Sequence, residues 1–306
     1  MDEGGRHQLP VTLTLPLAPA FAKLICVSAR PIGQVTRGFT APNRLRLVDT
    51  YVLVALAPHL RRSSLFIDLG YGAEPVTTVE SFTRFRRANP GLAALGIEID
   101  AARVAAAEPY IREGLSFRRG GFNLPLEPGE APGLVRVFNV LRQYDEHEVA
   151  DALWSLARGL PPGAILIEGT SDPLGRHVCF WVWDRAAAAL PVHGRQGELP
   201  FVRRWLVFGA RPHPAFSPRD LQAYLPKELI HHAGPGDPAD RFFAAWSREW
   251  LAAAALPSRE RWRAAALGLA RAGFGVSRQR GLLNRSLLAL HCTPTRDPIE
   301  AVFGTA

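Results

Sequence analysis

Strand and helix patterns alternate along the chain between Leu65 and Asp172. The apolar run that starts at Leu65 ends at Asp68, and apolar residues from Val76 to Phe82 then recur at helical spacing. Four more strands are predicted in LAALGIEID, LSFRRGGFNLPL, GLVRVFNVLRQYDE and GAILIEGTSD, with helices after the first and third of these segments. Such alternation predicts parallel strands with helices on both faces of the sheet.

The pattern changes after Asp172. Two β-rich runs, HVCFWVWD at 177–184 and FVRRWLVFGA at 201–210, predict an inserted β-hairpin at about 173–215. Helical patterns follow, and GVSRQRGLLNRSLLALH predicts two last strands separated by a turn. The trailing strands are expected to close an otherwise parallel sheet.

The predicted fold class is therefore α/β, a Rossmann-like seven-stranded mixed sheet. It is mostly parallel with an antiparallel last strand, and it has helices on both faces and the inserted β-hairpin. Residues 1–36 contain many prolines and no clear period, so we interpret them as an N-terminal extension. Residues 37–306 form one domain in this interpretation.

Asp145 and Glu148 allow two interpretations. With His147 they could form a metal site or a pair of catalytic carboxylates. They also have the spacing of a capping box in front of an apolar helix, which we favour. No metal site is predicted anywhere in the chain.

Composition narrows the class of protein. The chain has 306 residues, of which 47% are hydrophobic, and no apolar run approaches the roughly 18 residues of a membrane span. The acidic start MDEGG does not resemble a signal peptide, so we expect a cytoplasmic protein without a membrane partner. Cys26, Cys179 and Cys292 are widely spaced, which favours neither disulfides nor a thiolate metal site.

A formal net charge of +8 raises the question of a nucleic-acid partner. Lys23 and Lys227 are the only lysines, and the arginines are spread along the chain instead of forming one block. A nucleic-acid substrate is therefore the less favoured interpretation.

The first predicted strand runs into a glycine turn that carries Gly70 and Gly72. Dinucleotides and S-adenosylmethionine are both bound by such turns. A dinucleotide motif would have a third glycine where this chain has Pro75, and Glu74 would repel a diphosphate by about 4 kcal/mol at 4 Å and a dielectric constant near 20. S-adenosylmethionine has no phosphate, and Glu98 at the next strand end could accept hydrogen bonds from ribose.

The phrases FIDLGYGAEP, GIEID, GGFNLPL, FNVLRQYDE and GAILIEGTSD together resemble class I S-adenosylmethionine-dependent methyltransferases. More narrowly, RGFTAPNRLRLVD, DLGYGAEPVTT and FNVLRQYDE resemble an uncharacterised bacterial group of these enzymes. The resemblance covers about residues 37–291.

The resemblance implies a set of cofactor-binding residues around the strand ends. The glycine turn would lie against the methionine part, an acidic strand end would hold the ribose, and the third-strand loop would contact the adenine. That loop has no aspartate where many relatives bind the adenine amino group. The implied residues are Asp68, Gly70, Gly72, Glu98, Ile99, Phe122, Asn123 and Asn139.

The expected activity is methyl transfer from S-adenosyl-L-methionine to an unidentified small-molecule acceptor by in-line displacement. Asn139 and Tyr144 are the candidate catalytic residues, and Glu168, Asp172 and His177 are further candidates for a base. Alternatives are a catalytically silent cofactor-binding module, an NAD-dependent oxidoreductase and an RNA methyltransferase.

Two further features of the sequence allow more than one interpretation. Aromatic residues of the hairpin, including Trp181 and Trp183, would form a lid, core or a homodimer contact. RGFTAPNRLR could return over the cofactor, with Arg37, Asn43 and Arg44 contacting its carboxylate or the substrate.

Overall fold

The computed structural model describes residues 30–36, 40–187, 199–231, 233–293 and 298–303. Cys26 and Arg37 therefore lie outside the described residues. Within the described ranges, no helix is both long enough and apolar enough to cross a membrane.

One sheet organises the described chain. Its eight strands have the order β3-β2-β1-β4-β5-β6-β7-β8. The pairs among β1 to β5 are parallel, and those that join β5 to β6, β6 to β7 and β7 to β8 are antiparallel. The strands are β1 Leu65–Leu69, β2 Ala93–Glu98, β3 Leu115–Arg119, β4 Pro132–Phe138, β5 Ile165–Ser171, β6 His177–Arg185, β7 Phe201–Ala210 and β8 Leu287–His291.

The helices cover both faces of this sheet. Leu153 of α5, Trp246 of α7 and Trp262 of α8 are buried in the core on one face. Val48 of α1 and Phe82 of α3 belong to the core on the other. The helices are α1 Arg46–Ala55, α2 Ala57–Arg62, α3 Val76–Arg86, α4 Ala101–Ala106, α5 Glu146–Arg158, α6 Lys227–Ile230, α7 Pro238–Ala252, α8 Ser258–Arg271, α9 Arg280–Leu283 and α10 Pro298–Phe303.

The α/β class and the mostly parallel sheet are confirmed, but the strand count differs from the predicted seven. The hairpin strands β6 and β7 are members of the sheet, so three trailing strands are antiparallel instead of one. Strand β6 is buried along nearly its whole length, which is the pattern of a central strand with both faces covered. The division at residue 36 stays a prediction.

The C-terminal pattern gives one strand, not two. Arg280–Leu283 forms helix α9, and Val276 makes only an isolated bridge to Leu290 of β8. The local sequence around Arg280 therefore favours a helical turn over a strand.

Several local predictions are confirmed. The Asp100 carboxylate accepts hydrogen bonds from the N–H groups of Ala102 and Arg103, so it caps α4. Asp145 and Glu148 form the capping box of α5. Of the hairpin aromatics, Trp181 and Trp183 are buried in the core, and Cys179 and Cys292 are buried free thiols.

A buried arginine lies in the centre of the sheet. Arg136 of β4 is 1% exposed and donates two hydrogen bonds to the Asp68 carboxylate, at 2.9 and 2.7 Å. Its Nη1 also donates to Asp49 of α1 at 2.9 Å. Burial alone would lower the pKa of Arg136, but the two carboxylates outweigh it, and the pKa is raised. The guanidinium therefore stays charged and links β4, β1 and α1.

Arg136→Met is expected to lower the free energy of unfolding by about 3–5 kcal/mol, because the buried charges of Asp68 and, in part, Asp49 lose their partner. Urea denaturation measures the loss. Arg118→Met is the matched control, since Arg118 pairs with Glu130 at the partly exposed surface, where an ion pair contributes about 0–1 kcal/mol. Equal losses in the two variants would contradict a special role for the buried cluster.

Candidate functional site

The glycine turn lies at the carboxyl end of β1 and has the predicted geometry. Gly70 and Gly72 have φ angles of 72° and 90°, in the left-handed region that favours glycine. A Cβ atom at Gly70 would also lie 2.6 Å from Cγ2 of Val140. The N–H of Gly70 donates to the carbonyl of Ile97 at 2.7 Å, which fixes the turn against β2.

Glu98 lies at the end of β2, directly beside this turn. Its side chain is buried, and its carboxylate accepts hydrogen bonds from the N–H of Gly72 at 3.0 Å and from the N–H of Ile99 at 2.9 Å. Nη1 of Arg103 lies 3.7 Å from the same carboxylate. A carboxylate has about four acceptor positions, so Glu98 can still accept from a ligand.

Asp68 lies in β1, just before the turn, and its carboxylate is buried among protein donors. Besides the two bonds from Arg136, its Oδ2 accepts from the hydroxyls of Thr78 at 2.7 Å and Thr77 at 3.3 Å. These contacts attach the first turn of α3 to the end of β1. Asp68 therefore holds the turn in place through its contacts with α3 and Arg136.

Asn139 connects the ends of β4 and β5. Its φ angle is 58°, and its side-chain amide both accepts from the N–H of Ser171, at 2.8 Å, and donates to the carbonyl of Ser171, at 3.2 Å. Arg44 donates from Nε to the Ser171 hydroxyl at 3.0 Å, so part of RGFTAPNRLR does return to this edge. Asn43 instead donates its N–H to Glu80.

An N-terminal strap, residues 30–36, lies across these strand ends. The carbonyl of Ile32 accepts from the N–H of Phe122 at 2.9 Å, and the N–H of Ile32 donates to Oδ1 of Asn123 at 2.8 Å. Nδ2 of Asn123 donates to the carbonyl of Arg30 at 3.1 Å. Two residues that the sequence assigns to the adenine thus bind the protein's own chain.

The rest of the strap crosses the glycine turn. The N–H of Gln34 donates to the Tyr144 hydroxyl, and burial raises the pKa of Tyr144. Arg103 donates to the hydroxyl and the carbonyl of Thr36, at 3.0 and 3.1 Å. The strap is therefore fastened at both ends of the cleft.

Little space remains beneath the strap. The cavity bordered by Gly70, Glu98, Ile99, Phe122 and Tyr144 has a volume of about 20 Å³. A second cavity on the Asn139 side has about 30 Å³. One water needs roughly 10–15 Å³, and ligand pockets start near 300 Å³.

A nucleoside cofactor thus fits the donors and acceptors of this cleft but not its present volume. The predicted residues Gly70, Gly72, Glu98, Ile99 and Phe122 are gathered there, together with Asn123, Asn139 and Tyr144. Asp68 borders the cavity on the Asn139 side, although its oxygens bind protein donors. Their roles stay predictions. Among the described residues, no group of three or more His, Cys, Asp and Glu side chains could hold a metal.

Sequence reasoning missed Arg103 and Thr36. Arg103 lies in a short helix with no buried residue, so its pattern suggests a solvent-exposed arginine. Its position five residues after the acidic strand end is the one signal that could have found it. Thr36 falls in the segment interpreted as an extension, where no period indicates a contact.

Comparisons with known proteins give partial likenesses. No protein-family model and no curated protein matches the chain. The structure is similar to human N-acetylserotonin methyltransferase in complex with S-adenosylmethionine, at 20% identity and a TM-score of 0.30, over 40% of this chain and 37% of that chain. It is also similar to the mitomycin 7-O-methyltransferase MmcR, at 18% identity and a TM-score of 0.32, over 41% and 36%.

A third likeness is to the plantazolicin methyltransferase BpumL in complex with S-adenosylhomocysteine and a pentazolic desmethylPZN analogue. Here the identity is 10% and the TM-score 0.34, over 42% of this chain and 48% of that chain. In these three comparisons the match covers less than half of either protein.

Gly121→Ala is expected to release the strap. A Cβ atom at Gly121 would lie 2.0 Å from the carbonyl oxygen of Ile32, whereas one at Gly91, the control position, meets no atom closer than 3.7 Å. The amide hydrogens of Ile32, Gln34 and Phe122 should then exchange at least tenfold faster in Gly121→Ala than in Gly91→Ala. Unchanged exchange in Gly121→Ala would contradict the placement of the strap.

Proposed function

We propose that this protein is an S-adenosylmethionine-dependent methyltransferase that acts on a small-molecule acceptor. The observation that carries the proposal is the contact between Glu98 and the N–H of Gly72. This contact joins the glycine turn after β1 to the acidic end of β2. The strand order reverses between β1 and β4, with β2 and β3 on one side and β5 on the other. Such a switch point is where open α/β sheets bind ligands.

The electrostatics of the cleft favour a ligand without phosphate. Glu98 is buried at the turn, and Glu74 is exposed just before α3. Among the described residues, Arg103 alone forms an ion pair with Glu98, and it also donates to Thr36 of the strap. A nucleoside with a cationic group therefore suits the cleft better than a diphosphate.

S-adenosylmethionine would supply an electrophilic methyl group on a sulfonium. The chain's own residues would orient the ligand: Glu98 accepts from the ribose hydroxyls, and Gly70 and Gly72 admit it close to the backbone. Because its pKa is raised, the Tyr144 phenol stays neutral near pH 7 and can donate or accept a hydrogen bond. Asn139 holds the β4 and β5 ends together and so positions the edge that faces the methyl group.

Binding requires that the strap leave the cleft. The same backbone and side-chain groups cannot hold both the strap and a nucleoside, since the two cavities that border the glycine turn have only about 20 and 30 Å³. The apparent affinity for cofactor is therefore the affinity of the open form multiplied by the fraction of molecules in which the strap is open.

Calorimetry with S-adenosylmethionine, its demethylated product and NAD tests the proposal. We expect the first two to bind, and Glu98→Gln to weaken them by about 10- to 100-fold, because a charged acceptor is lost. Glu127→Gln, at an exposed carboxylate, is the matched control and should bind as wild type does. Binding of NAD alone would refute the proposal.

The strap gives a second measurement. S-adenosylmethionine should accelerate exchange of the Ile32 and Gln34 amides, the reverse of ordinary ligand protection, and should bind Gly121→Ala more tightly than wild type. If neither protein binds it, the cleft is not a cofactor site.

A further inference from the structure

We propose that a second cavity, on the α5 side of the sheet, binds a small organic amine through the carboxylate of Glu168. The cavity has a volume of about 300 Å³, at the lower end of the range for small-molecule sites. This site goes beyond the proposed methyl transfer and does not depend on it, because it lies outside the cleft and needs no cofactor.

Strands β5 and β6 form the floor of the cavity. Glu168 lies opposite Trp181 in the antiparallel register, and Leu166 lies opposite Trp183, so these four side chains share one face. Trp183 and Glu168 line the cavity, and Val149 of α5 borders it. Apolar side chains thus lie beside Glu168, and Arg142, Lys227 and Glu228 line the rest of the cavity.

Glu168 is half-buried and lies at the floor of this cavity. Among the described residues, none donates a hydrogen bond to its carboxylate or forms an ion pair with it. Burial, and to a smaller extent the nearby charge of Glu228, raise the pKa of Glu168 to about 8. An ionised carboxylate that is partly shielded from water and has no cation beside it is costly, and a ligand cation would lower that cost.

The other charged groups at the cavity already have partners. Lys227 donates to the carbonyl of Tyr144 and lies 3.5 Å from the Asp145 carboxylate. Arg142 donates to the carbonyl of Ala223 at 2.9 Å.

Glu228 is likewise paired, with Arg203 at 2.7 Å, and Arg203 also lies over the Trp183 ring, 4.7 Å from its centre. Among the residues that the structure describes, the cations at the cavity thus have other partners, and none of them pairs with Glu168.

The ring of Trp183 supplies an apolar surface beside Glu168. An amine can pair its ammonium group with the carboxylate and pack its apolar body on the ring. We therefore assign the site to small amines with an apolar body.

Tyramine and tyrosol are suitable probes, because they differ only in the ammonium group and its replacement by a hydroxyl. Calorimetry at pH 8 should show tyramine binding at least tenfold more tightly to wild type, and Glu168→Gln should abolish this preference. Glu113→Gln, at a side chain that is 96% exposed, is the matched control and should keep it. Equal binding of both probes to wild type would overturn the proposal, as would an unchanged preference in Glu168→Gln.

The pH dependence supplies a readout that packing alone would not give. Below its pKa of about 8, Glu168 must lose its proton to pair with an ammonium. Tyramine affinity should therefore rise about tenfold per unit from pH 6 towards pH 8 and level off above it. The charged and titratable groups around Glu168 are Arg142, Cys179, Arg203, Lys227 and Glu228.

Glu168→Gln should show no such slope, and tyrosol should show none with either protein. A flat tyramine profile in wild type, or an equal slope in Glu168→Gln, would assign the binding to another group and overturn the proposal. Thermal melting of Glu168→Gln establishes that the variant is folded.

Discussion

The buried guanidinium of Arg136 is the charge on which the arrangement of this molecule depends. An unpaired cation in the middle of a sheet would cost several kcal/mol, so its carboxylate partners must be in place when the sheet forms. Those partners come from different elements, Asp68 at the end of β1 and Asp49 in α1. Because Asp68 also accepts from Thr78, the same cluster fixes where α3 starts and therefore where the glycine turn lies.

This constraint decides which carboxylate can face a ligand. Asp68 already accepts four bonds from Arg136 and two threonines, three of them at Oδ2, so most of its acceptor positions are occupied by protein donors. Glu98 is held by two backbone N–H groups and keeps acceptor capacity. The two acidic strand ends therefore differ in their contacts, although each follows an apolar run in the sequence. One organises the turn, and the other remains available beside it.

Features that depend on neighbouring residues could be predicted from the sequence. The Asp100 cap and the Asp145–Glu148 box follow from short spacings, and the parallel strands follow from alternation over a few tens of residues. The place of the hairpin could not be predicted, because pairing of β6 with β5 is a long-range contact that a continuous apolar run does not specify. Arg136 was missed for a similar reason: a single charge in a strand resembles a solvent-facing position until both partners are known.

The site was predicted at the level of residue types and not at the level of their contacts. Phe122, Asn123 and Tyr144 lie around the cleft, but their polar groups bind residues 30–36. The strap contains no helical or strand period, and its hydrogen bonds span sequence separations of 91 and 110 residues. Contacts of that range have no local signature in a single sequence.

The cleft and the Glu168 cavity share one wall. Val140 and Tyr144 border the cleft, whereas Leu141 and Arg142, between them in sequence, border the cavity. The carbonyl of Tyr144 also accepts from Lys227 on the far side of that wall. A displacement of this short segment would therefore change both spaces at once, and a ligand that binds one position of the wall more tightly must shift the population seen by the other site. Such a coupling would act in both directions, since linkage between two binding equilibria is reciprocal.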